Sequence, residues 1–194
     1  MMTREDAGPG SQLSAIQDAL DAASRAAAAI CDGLTEEQLG ASPAPGAWSI
    51  AQCLDHLVTT TDVFAPALDV AIDTARARGF LSPGPSRLGP WGRLLVWYVE
   101  PPPAIRLPAP RPLRPMGRGP AVEALPRFLE SQRLLTLRFA ALEGLDLGRA
   151  IYVSPIARCI RMSVFAFLHV HAAHERRHLW QAERVRTRLL LDLG

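Results

Sequence analysis

The chain contains no lysine; all 21 of its basic residues are arginine. That absence excludes lysine Schiff-base chemistry and a Walker A phosphate loop, both of which need the residue. Cysteine is scarce and odd in number: Cys31, Cys53 and Cys159 lie far apart among apolar neighbours. They are expected to be buried thiols in a reducing compartment, not a disulfide framework. Long hydrophobic runs are missing too. The longest, around Val164–Val170, is far short of the ~20 residues that a spanning helix needs, so no membrane partner is expected. Residues 1–10 are polar and lack the apolar stretch of a signal peptide. The expectation is a cytoplasmic protein, with a disordered stretch over 1–10 followed by one domain over 11–194. No charge of one sign dominates: the formal net charge is +2, and nothing points to nucleic acid.

What is present is apolar material at helical spacing. Hydrophobic residues make up 48% of the 194, enough to bury a core. Leu13, Ile16, Leu20, Ala23, Ala27, Ile30 and Leu34 recur at threes and fours and predict a first helix over 11–33, with Ser11 as its cap. Thr35 caps a single short turn. Ser49-x-x-Gln52 forms a capping box at the start of a second helix, whose stripe of Ile50, Leu54, Leu57, Thr61, Phe64, Leu68 and Ile72 runs toward Gly79. A third stripe joins Val122, Leu125, Leu129, Gln132, Leu135, Phe139 and Leu142, with Pro126 tolerable only near its start. The fourth runs from about 160 to 192 through Val164, Phe167, His171, His174, His178, Gln181, Val185 and Leu189. Four long helices without a convincing alternating strand predict an all-α fold, a four-helix bundle.

Residues 80–120 break this pattern, with 11 of the 17 prolines, six arginines and a single acid, Glu100. A short helix is expected at Arg93–Val99, with Leu94, Trp97 and Tyr98 packing on the bundle. The rest should be extended, because each proline removes a donor and disfavours helix just before it. So long a connection serves as a lid or spans the bundle to join two helices that run the same way. Spanning is the expected role.

The histidines carry the chemistry. His174 and His178, four apart on one helix, have Cβ atoms ~5–6 Å apart. Both rings can reach one ion at ~2.0–2.1 Å, and His56 from the second helix completes a three-histidine set. Three protein ligands leave positions open for water or substrate. His171 lies two turns, ~10 Å, from His178 and is expected to support the site or line its pocket. His169 falls on the opposite side and is expected in solvent. Histidine ligands normally donate their other ring N–H to an acceptor; Gln52 and Gln181 are candidates, although the capping box already occupies Gln52. Asp55 and Asp62 could serve as bases, but charged helix residues are commonly just a solvated face.

His174–His178 also spells the H-E-x-x-H of zinc peptidases, with Glu175 as general base. Arginines fill both middle positions, and Leu179-Trp180-Gln181 offers no further ligand motif. Glu183 is too close to be a distant third ligand. Glu175 lies about 100° round the helix from His174 and is expected on the flank, paired with an arginine.

Pro45-Gly46-Ala47-Trp48-Ser49-Ile50-Ala51-Gln52-Cys53-Leu54-Asp55-His56-Leu57 resembles the tryptophan-serine helix opening of the DinB-like superfamily. His171-Ala172-Ala173-His174-Glu175-Arg176-Arg177-His178-Leu179-Trp180-Gln181 is similar to its last-helix signature. The resemblance implies a four-helix bundle with a long Pro/Arg-rich crossover between helices two and three, and a divalent metal on His56, His174 and His178. It also implies activities of the kind known in the superfamily, among them bacillithiol- and mycothiol-dependent S-transferases and a maleylpyruvate isomerase.

The expected function is therefore a divalent-metal-dependent transferase or hydrolase of a small-molecule substrate. Its nucleophile would be metal-activated water or a low-molecular-weight thiol. Zinc or nickel is the expected metal, although imidazole suits iron and manganese as well. The alternative is a non-enzymatic metal- or ligand-binding bundle that acts as a dimerisation module. A homodimer through an apolar bundle face fits both readings.

Overall fold

Amphipathic periodicity produces the long helices. The computed structural model describes residues 8–81, 84–103, 105 and 108–191. Of the stretch expected to be disordered, residues 1–7 lie outside the described residues. Helix α1 (Pro9–Cys31) opens with Gly8 as its cap, two residues before the expected start. The Ser11 hydroxyl donates to the Gly8 carbonyl instead of capping. Helix α2 (Glu36–Gly40) begins on the predicted cap Thr35, which also forms a box with Gln38, and helix α3 (Ile50–Ala77) begins on the predicted capping box of Ser49 with Gln52. Helix α4 spans Pro90–Val99. The expected third helix is divided into α5 (Ala124–Thr136) and the single turn α6 (Phe139–Leu142). Helix α7 (Val164–Leu191) is the last.

Cross-helix ties fix the directions. The Arg138 guanidinium grips Asp69 at 2.8 and 3.1 Å near the ends of α5 and α3. At their starts, the Glu36 carboxylate accepts the backbone N–H groups of Ala121 and Val122. Helices α3 and α5 therefore run the same way, and the crossover returns the chain along the bundle's length. Helices α1 and α7 run together in the opposite sense, since Leu13 and Ile16 share a core with Phe165 while Arg186 donates to the Ala29 carbonyl. The result is a four-helix bundle of α1, α3, α5 and α7.

The expectation of no strand fails at one end. Between α6 and α7 a two-stranded antiparallel hairpin, β1 (Ile151–Val153) and β2 (Arg161–Ser163), pairs Tyr152 with Met162. Tyr152 is buried and stacks on Phe167 at 3.9 Å, so the hairpin closes that end of the core. Strands of three residues are too short to announce themselves by alternation.

Two more expectations are corrected. In α4 it is Gly92 that packs on α7, its Cα close enough that an added Cβ would meet Ala166 at 3.0 Å. Leu94 and Trp97 face outward and are half exposed or more. Cys53 is buried and Cys31 half-buried, but Cys159, in the hairpin turn, is exposed.

The core has two apolar ends. One centres on Leu68, Ile72, Leu135, Phe165 and Leu168, the other on Ile50, Leu54, Leu57, Phe128, Leu179 and Val185. Between them, at matching heights on α3, α5 and α7, lie buried polar residues: His56, Thr59, Thr60, Gln132, His171, Glu175 and His178.

Candidate metal centre

The predicted triad converges. His56 sits in the second turn of α3, and His174 and His178 stand one turn apart on antiparallel α7. One ring nitrogen from each lies within 4.8 Å of the others. His56 Nε2 is 3.2 Å from His174 Nε2, and the His178 ring centroid is 4.3 Å from that of His56. Such spacing is what three imidazoles around one ion require.

Two outer ring nitrogens are anchored. His56 Nδ1–H donates to the Leu113 carbonyl at 2.5 Å, which fixes the tautomer and turns Nε2 inward. His178 Nδ1–H donates to Gln181 Oε1 at 3.2 Å, as expected for Gln181. Gln52 takes no part, because its Oε1 accepts the Ser49 N–H of the capping box. His174 Nδ1 is buried without a hydrogen-bond partner among the described residues. Trp48 lies against the group, 4.8 Å from the His56 ring and 5.6 Å from that of His178.

Burial holds all three rings neutral. Desolvation lowers His56 from its ordinary value, with the Leu113 carbonyl and Asp55 pulling the other way. Burial, then the neighbouring His178 and His56, push His174 far down. Burial with His56 and Arg177 takes His178 to about 3. Three neutral imidazoles can share at most one N–H between facing nitrogens, so lone pairs face lone pairs. A cation relieves that arrangement, and the donor set fits a borderline divalent ion. Cysteine does not contribute: burial pushes the Cys53 thiol to about 12 and the Cys31 thiol to about 11.

His171 and Glu175 lie one turn along, outside the triad. Glu175 was expected on a solvated flank beside an arginine, yet it is 0% exposed. Gln132 Nε2 donates to its Oε1 at 2.6 Å, and His171 Nε2 lies 3.0 Å from the same oxygen. A carboxylate so engaged in the bundle interior is poorly placed to act as a peptidase base. The flank expectation fails because α7 is covered on nearly every side, by α1, α3 and α4. His169, expected in solvent, is likewise half-buried, its ring 4.6 Å from that of Phe165.

The two arginines of the motif tie down the crossover. Arg176 grips Glu100 through two 2.7 Å bonds, and Arg177 donates to the carbonyls of Tyr98 and Ile105. Asp55 is also buried, its Oδ2 accepting the N–H groups of Met116 and Gly117; Asp62 pairs with Arg118 on the surface. Sequence reading missed Leu113 because it acts through its backbone. A groove of about 930 Å³ runs between α1 and α7, walled by Ala15, Ala22, Phe165, Arg176 and Trp180, but no triad residue lines it.

Three comparisons bear on this site. The sequence profile of the DinB superfamily matches residues 19–182. No curated protein matches the sequence. Among solved structures, YfiT from Bacillus subtilis, described as a probable metal-dependent hydrolase with an unusual four-helix bundle topology, superposes with a TM-score of 0.55. It is 14% identical, and the alignment covers 91% of this chain and 87% of YfiT.

Proposed function

Because the chain belongs to the DinB superfamily, we propose that it is a metal-dependent enzyme acting on a small molecule, with His56, His174 and His178 as ligands. The observation that carries this reading is the convergence of three neutral imidazoles, two buried and one half-buried, with ring nitrogens within 4.8 Å of one another. A divalent ion held there would supply Lewis acidity and bring a bound water or thiol toward ionisation near neutral pH. The chain's own residues prepare for that. The Leu113 carbonyl and Gln181 hold two rings in the tautomer that points Nε2 inward. Trp48 shields the rings from water on one side and lowers the local dielectric.

Hydrolysis and thiol-dependent transfer are the two reactions this arrangement suits. The likeness to YfiT favours hydrolysis, and the wider superfamily favours a low-molecular-weight thiol as co-substrate. Zinc and nickel are the metals proposed. A second reading follows from the burial of the triad: a non-enzymatic bundle that holds metal for stability or ligand capture.

The test is a panel of esters, amides and thiol acceptors, assayed with the metal-loaded protein, the chelated protein and His174→Ala. Turnover only in the loaded wild type supports the enzyme. Stoichiometric metal with no turnover across hydrolytic and thiol-transfer substrates would favour the second reading.

A further inference from the structure

The descending limb of the crossover, Arg111 to Arg118, lies against the same turns of α3 that carry the candidate metal site. It is tied there three times. The Leu113 carbonyl, in a 3₁₀ turn over Arg111–Leu113, accepts from His56 Nδ1. The N–H groups of Met116 and Gly117 donate to one oxygen of Asp55, at 2.6 and 2.9 Å. Arg118 pairs with Asp62 at the surface. The middle tie stands out because Asp55 is only 3% exposed, and its other oxygen has no hydrogen-bond partner among the described residues. Burying a carboxylate is costly, and a half-engaged one is more so. Such a group persists where it does something a smaller residue cannot.

Geometry indicates what that is. Asp55 and His56 are consecutive on α3, and they grip residues three and four apart on the strap. For two successive N–H groups to converge on one oxygen the chain must turn sharply; Gly117 does so at φ +64, a conformation that residues with side chains rarely adopt. With Met116 and Gly117 pinned, the Leu113 carbonyl has little freedom to leave the His56 ring.

We propose that Asp55 is a positioning residue for the metal site: by clasping Met116 and Gly117 it holds the Leu113 carbonyl on His56 Nδ1, and so aims His56 Nε2 at His174 and His178. The inference rests on the triad being a metal site, as proposed above. It makes the crossover a supporting part of that site.

The experiment is a zinc titration of the full chain against a chromophoric chelator at pH 7, with circular dichroism to report fold and limited proteolysis to report release of the strap. Loss of an outer partner to a histidine ligand typically weakens metal binding roughly ten- to hundredfold, and that loss is expected for Asp55→Ala. Asp55→Asn should stay within about threefold of wild type, since one amide oxygen can accept both N–H bonds, as Oδ2 now does. That rescue separates positioning by this acceptor from a general effect of altering the helix. Gly117→Ala disturbs the clasp from the strap side, where a Cβ meets nothing within 4 Å but must adopt the strained φ. It should weaken zinc binding in the same direction, by less. Wild-type affinity in a folded Asp55→Ala protein would overturn the inference alone. If Asp55→Ala does not fold, Gly117→Ala decides: unchanged affinity with the strap released to protease overturns it. A wild type that binds neither zinc nor nickel would overturn the triad reading and this inference together.

Discussion

Two polar layers lie one helical turn apart in the same bundle core, and they are built on opposite principles. In the layer of Glu175, Gln132 and His171, a donor meets an acceptor: Gln132 Nε2 donates to Glu175 Oε1 at 2.6 Å, and His171 Nε2 lies 3.0 Å from that oxygen. In the layer of His56, His174 and His178, three ring nitrogens face one another with at most one N–H among them, and the anchoring hydrogen bonds go outward to Leu113 and Gln181. The first layer is joined by a donor set on an acceptor, although Gln132 Oε1 and Glu175 Oε2 find no hydrogen-bond partner among the described residues. The second is left short of a positive charge at its centre. A buried polar cluster reads as a ligand site when its inner faces are mismatched and its outer faces are anchored.

Substitutions in the two layers should therefore separate metal binding from stability. The largest effect is expected for His174→Ala or His178→Ala. Either should abolish tight zinc binding, as followed by chelator competition, and retention of wild-type affinity would erase the distinction between the layers. Next, Glu175→Ala should lower the unfolding free energy by about 1–3 kcal/mol, because it strands the Gln132 donor. Denaturant melts measure this, and zinc stoichiometry in the same variant should stay at the wild-type value.

Acid gives a smaller, graded effect on the triad layer. In the unfolded chain histidine titrates near 6.5, whereas folding lowers all three rings, His178 to about 3. Below pH 6.5 the unfolded state therefore binds more protons. The metal-free protein loses stability as pH falls from 6.5 toward 3, by up to ~1.4 kcal/mol per pH unit for each ring fully out of step. Denaturation midpoints of chelated protein from pH 7 to pH 5 check this; a flat profile would contradict neutral burial. The smallest effect is expected for Gln181→Leu, which frees His178 Nδ1 at the rim and should cost less zinc affinity than either histidine change.

Side chains with strong local rules were legible in the sequence. The cap at Thr35, the capping box at Ser49 and the i, i+4 pair of histidines depend on spacing alone, and a single earlier histidine on a long amphipathic helix supplied the third member of the triad. What stayed hidden depended on tertiary neighbours. Glu175 sits about 100° from the triad face, which implies a flank only if the helix has one. Helix α7 is covered by α4 as well as by α1 and α3, so Phe165, Ala166, Phe167 and Leu168 are all buried in succession. The acceptor on His56 is a backbone carbonyl 57 residues away, and no side-chain pattern encodes it. Asp55 looked like solvated surface because its partners are the N–H groups of a proline-rich loop.

The most direct test of the central claim is elemental analysis of purified, untagged protein beside a His56→Ala/His178→Ala double variant. One divalent ion per wild-type chain, absent from the variant, is the result this account predicts. No bound metal after incubation with zinc, nickel and manganese would contradict it, and the three histidines would then be core residues of the bundle.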